Sequence, residues 1–192
     1  MKVKSLVAGC ALVFGVNALP SASFADDSAI GVSGNASVAQ EQIQQILERQ
    51  RQLDMMSAPI HSESDLAKYD EITDVSQNPL NSLSQAAKGR FLKSLIFNEK
   101  GLSSFGEADL KTELSASQVY RILSLFGVQS STQIIQGLRM ENDIDRAIMS
   151  KASIIPYTMP GGADGYRCGN PAAGEPPHTC FNFPQAICTA NC

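Results

Sequence analysis

The residues whose type and spacing come nearest to chemistry are the five cysteines of this 192-residue chain. Cys10 lies in an apolar N-terminal run, and Cys168, Cys180, Cys188 and Cys192 gather at the other end. A zinc site built on thiolates usually shows a C-x2-C pair, and a dithiol redox centre uses C-x-x-C. Neither spacing occurs here, and the single nearby imidazole, His178, does not supply it. Four cysteines in an exported chain point instead to two disulfides, with no metal and no cofactor. Three pairings are open, and spacing alone does not choose among them. A Cys188–Cys192 bond would be strained if Thr189–Asn191 were helical.

Other candidate chemistry is weaker. Gly101-Leu102-Ser103-Ser104-Phe105-Gly106 resembles a serine-hydrolase elbow, but the true spacing is G-x-S-x-G after a strand, and the second glycine comes one residue late. His61 and His178 are the only imidazoles to act as base. The carboxylate pairs Asp70-Glu71, Glu107/Asp109 and Asp143/Asp145 lack the loop spacing of a calcium-binding hand and read as solvated groups at helix ends. Pro160–Gly165 is glycine-rich but has no phosphate-loop lysine, and reads as a linker. Gln118–Arg139 imitates a DNA-binding helix-turn-helix. Its second segment has almost no basic side chains, so an ordinary helical hairpin is expected. No residue stands out as catalytic, and the chain reads as a binding protein before an enzyme.

The N-terminus carries a different message. Lys2 and Lys4 precede the apolar run Ser5–Val16, Pro20 breaks it, and Ser23-Phe24-Ala25 places small residues at the −3 and −1 positions of a signal-peptidase site. The run is far short of the roughly 20 residues that span a bilayer, so no stable membrane anchor is expected. Val7-Ala8-Gly9-Cys10 resembles a lipobox, yet most of the apolar run comes after the cysteine rather than before it. The leader is bacterial in style, which leaves the Asn35-Ala36-Ser37 sequon without a role. Removing its two lysines takes the net charge from −4 to −6, the wrong sign for non-specific binding to nucleic acid or anionic lipid.

The elements between these ends read as helices. After the leader (1–25) and a polar tail (26–36), a capping box of Ser37 and Gln40 opens a helix with Val38, Ile43, Ile46, Leu47 and Leu53 close to one face. That face is expected to lie on its own domain rather than to serve as a coiled-coil arm. A short helix comes next over Asp65–Ile72. Asn78-Pro79 starts a longer one that carries Leu80, Leu83, Ala87, Phe91, Leu92, Leu95 and Ile96 and ends at Gly101. The rival, a hairpin around Asn98–Gly101, is set aside because its flanks do not alternate. Helices over Glu107–Leu114, Ala116–Phe126 (capped by Ser115 and Gln118), about Ser131–Leu138 and from Asn142 complete the series. Ile144, Ala147 and Ile148 are expected to face inward on the last of them.

The resulting expectation is an all-α fold. A compact multi-helix domain, 37–155, carries a loop-rich, disulfide-stapled segment, 156–192, rich in proline and glycine. The function expected is that of an exported, non-catalytic interaction protein, periplasmic or secreted, whose partner is another protein. A secreted hydrolase built on a histidine, and a structural envelope-associated oligomer assembled through helix 37–56, are the alternatives.

Overall fold

The computed structural model of the chain describes residues 32–150, 162–169 and 179–192. The leader with Cys10, the lipobox-like run, most of the polar tail, the prolines of 156–160 and His178 lie outside the described residues. The chain forms two units, one ending at Ala39 and a compact one spanning Gln40–Cys192.

The fold is not all-α. Four strands, β1 (Ile96–Asn98), β2 (Gly101–Gly106), β3 (Ala163–Gly169) and β4 (Thr179–Cys188), form one antiparallel sheet in the order β1-β2-β4-β3. The hairpin around Asn98–Gly101 is therefore present. Asn98 turns the chain by accepting the Lys100 N–H at 2.9 Å, and Gly101 takes up φ +107°, a conformation that favours glycine. The flanks fail to alternate because β2 is buried on both faces. Ser103 and Ser104 stand among Leu102 and Phe105 without penalty, since their hydroxyls donate to the carbonyls of Ile96 (2.9 Å) and Ile187 (2.8 Å). The described residues of the stapled segment, 162–169 and 179–192, are likewise part of the sheet and not a loop-rich appendage. They supply β3 and β4, and β4 lies in the middle of the sheet with Ile187 opposite Phe105, both fully buried.

The helical half obeys local signals more closely. α1 (Val32–Ser57) and α2 (Glu63–Ile72) come first. The long helix expected after Asn78 is two pieces. A 3-10 turn, Pro79–Ser82, is capped by Asn78, and α3 (Gln85–Ser94) is capped by Ser84. α4 (Ala108–Glu113) and α5 (Ala116–Ser124) come next, and Gln118 accepts the Ser115 N–H at 2.8 Å as the capping box requires. Gly127 at φ +69° closes α5. The helix expected about Ser131–Leu138 is instead a 3-10 turn over Gln129–Ile134, so the resemblance to a DNA-binding motif ends there. α6 is Asp143–Ser150.

One core joins the two halves. Phe91 of α3 meets Phe105 of β2 edge-on at 6.3 Å, and Leu80, Leu110, Val119, Ile122, Phe126 and Ile187 fill the space around them. Two helices depart from the inward faces expected of them. On α6, Ile144 is exposed, and Asp145 is the fully buried side chain. On α1, Val38, Ile43, Ile46 and Leu53 are all exposed, while Arg51 and Met55 turn inward to Asn191. No helix among the described residues is long and apolar enough to cross a membrane.

Candidate interaction surface

Cys168, Cys180, Cys188 and Cys192 form two bonds, Cys168–Cys192 and Cys180–Cys188. The first ties edge strand β3 to the chain end. The second has a sequence separation of only 8 and closes a bulge within β4 itself. β4 pairs with β3 at both ends, Thr179–Asn182 against Tyr166–Gly169 and Ile187–Cys188 against Ala163–Asp164. Between those stretches Phe183–Ala186 of β4 have no partner in β3, and the run from Phe181, which is paired, through Gln185 is exposed. Gln185 turns the chain back with φ +64°, and its carbonyl accepts the Glu107 N–H at 3.0 Å. The bulge is thus held at its base by a disulfide and at its return by a backbone bond.

The bulge displays aromatic rings. Pairing places Phe181 opposite Arg167, so Phe181, Phe183 and Arg167 share one face of the hairpin. The Arg167 guanidinium sits 5.1 Å from the centre of the Phe183 ring, a cation–π contact. Gly169 gives Phe181 its seat, because a Cβ there would fall 2.6 Å from the ring. Tyr166 projects from the other face of the same hairpin and is also exposed. Exposed aromatic side chains beside an arginine match the composition of energetic centres in protein interfaces. The crosslink removes much of the ordering cost that a free loop would meet on binding.

Sequence reasoning located the cysteines and missed this surface. Proline, glycine and polar neighbours among the aromatics hide the alternation, and the pairing that gathers them is visible only once β3 and β4 are aligned.

The other candidates do not converge. Ser103 and Ser104 are 1% exposed and both hydroxyls are committed to carbonyls. His61 lies on the surface before α2, where its backbone N–H reaches Asp65. Asp70 accepts from Lys88 and Asn78, and Asp109 is held by Arg90. Two of the carboxylates expected to be solvated are buried. Asp145 is fully enclosed, with its oxygens accepting the N–H groups of Ser117 (2.7 Å), Glu141 (2.8 Å) and Asn142 (3.1 Å). Burial pushes its pKa up, but these bonds outweigh that and hold it at about 2. This carboxylate is a structural clamp between α5 and α6. Glu107 at the end of β2 is the reverse case. Burial first, and the charge of Asp164 second, raise its pKa against the pull of Lys111, and among the described residues Oε2 has no hydrogen-bond partner.

The sulfurs of Cys168, Cys188 and Cys192 lie within 4.8 Å of one another, so the two bridges are neighbours. In their bonded form these sulfurs offer no thiolate to a metal. No family model, no curated protein and no solved structure matches the chain.

Proposed function

We propose that this chain is an exported interaction protein that binds another protein through the aromatic bulge of β4. The observation that carries the reading is a crosslinked, outward loop presenting Phe181 and Phe183 beside Arg167. Solvent-exposed phenylalanine is costly to leave without use when a polar residue would satisfy the same backbone, and here two rings are held in place by a disulfide and a glycine seat. Two disulfides in one small unit suit the periplasm or the outside of the cell, where they persist. The net negative charge argues against nucleic acid as the partner.

Affinity capture tests this with two baits, the oxidised wild-type chain and Phe181→Ala/Phe183→Ala, run against envelope and secreted proteins. A stoichiometric protein held by the first bait and lost from the second supports the reading. Equal capture by both baits, or none by the wild type, removes it. Export is tested separately, by an intact mass beginning at Asp26 and lighter by about four mass units for two disulfides.

A further inference from the structure

α1 carries a second surface, distinct from the β4 bulge. Among its exposed residues, Ala39, Ile43, Ile46, Gln50, Leu53 and Ser57 form one row spaced alternately by four and three along the helix. This is the a/d spacing of a heptad repeat, with Ile43 and Gln50 at a and Ala39, Ile46 and Leu53 at d. The same spacing recurs in the sequence at Ala36 and Val32. A 3.5-residue period on the solvent side is not what burial against a single globular core selects, which is a wider stripe of period 3.6. The exposures are large: Ile43 43%, Ile46 67% and Leu53 53%, with Met56 beside the seam at 81%.

We infer that this seam pairs with the same seam of a second copy of the chain, in parallel, as a short two-stranded coiled coil. The flanking charges choose the partner and the direction. With Ile46 at d, Arg49 falls at g and Asp54 at the e position five residues on. In a parallel pair, g of one helix faces that e of the other, so Arg49 meets Asp54 of the second copy, twice by symmetry. Asp54 is already drawn to the seam, since it accepts a 2.7 Å bond from Gln50 Nε2. An antiparallel pair would set g beside g and e beside e, like charge against like. Gln50 is the polar a residue that fixes register, able to pair with its own counterpart across the axis at a cost in stability. The inward side of α1, with Arg51 held by Asn191, is occupied by the chain's own fold and leaves the seam free.

Sedimentation velocity and equilibrium on the oxidised chain from Asp26 to Cys192 test the inference. A reversible monomer–dimer equilibrium in the micromolar range is expected. Ile46→Asp/Leu53→Asp should abolish the dimer while near-ultraviolet circular dichroism and the midpoint of thermal unfolding at low concentration stay those of the wild-type monomer. Arg49→Glu should weaken dimerisation about 2- to 30-fold, the worth of two exposed ion pairs, and Arg49→Asp/Asp54→Arg should restore it. A monomer at all concentrations overturns the inference, as does a dimer that survives Ile46→Asp/Leu53→Asp. Arg49→Glu leaving the dimer unchanged, as the exchange of one like-charged g–g pair for another would, overturns the parallel arrangement. The Phe181→Ala/Phe183→Ala variant should dimerise like the wild type, so this result stands or falls apart from the reading of the β4 bulge.

Discussion

The carboxylate of Asp145 on α6 accepts the backbone N–H of Ser117 on α5 at 2.7 Å, and this bond joins the starts of two helices that are distant in sequence. Its other oxygen takes the N–H groups of Glu141 and Asn142, ahead of its own helix. One side chain thereby satisfies donors that helix ends leave without partners.

Asp145→Ala should therefore be among the most damaging polar substitutions in the chain. It strands three part-buried N–H donors, at a cost on the order of 1–3 kcal/mol. Urea unfolding monitored by circular dichroism would measure it. Asp143→Ala, an exposed neighbour on the same helix, should cost far less.

The same group sets a pH dependence. Its folded pKa is about 2 against an ordinary 3.8, so the native state favours the charged form. The stability it contributes is complete above about pH 4 and is lost as pH falls towards 2. Thermal melts of wild type and Asp145→Asn across that range should converge at the acid end. A gap that stays constant down to pH 2 would show that the charge has no part in it.

Glu107 has the opposite sign. Its pKa is raised, so its charged form is disfavoured in the fold, and the penalty appears as pH climbs above the ordinary carboxylate value of 4.5. Glu107→Gln should raise the melting temperature at pH 7 and leave it nearly unchanged at pH 4. Lys111 loses a 3.3 Å partner in that variant, but lies near the surface where water replaces it.

The two disulfides should differ in worth. The Cys168–Cys192 bond closes a loop of separation 24 and the Cys180–Cys188 bond one of 8. Chain-entropy arguments give about 3–4 kcal/mol for the first and about 2–3 for the second. Paired serine variants, unfolded under matched conditions, would rank them. Cys180→Ser/Cys188→Ser should leave the core folded while lowering affinity for any partner of the bulge, because the rings lose their rigid support.

Gly127→Ala probes the seat of α1. The position has φ +69°, and a Cβ would approach within 2.7 Å of the Met55 Cα. Strain and displacement together should cost about 2–3 kcal/mol. Gly89→Ala is the control, since its Cβ meets nothing within 4 Å and sits inside α3. It should be neutral or mildly stabilising.

Some features written in local sequence came through to the structure, but not the capping box of Ser37 and Gln40, since α1 already begins at Val32. Asn78, Ser115 with Gln118, and Asn142 each cap the helical turn after them, because a cap needs only a side chain and the N–H groups two or three residues on. The amphipathic face of α5, Val119, Ile122 and Leu123, is buried for the same local reason. The cysteine count determined two disulfides but neither pairing. What tertiary structure alone decided was the sheet. β4 joins β2 across some eighty residues, and a strand buried on both faces has no alternation to read. The burial of Asp145 and Glu107 and the exposure of the α1 seam were decided there too. A sequence period marks which residues share a face of a helix, and only the packed chain determines whether that face meets the core or the solvent.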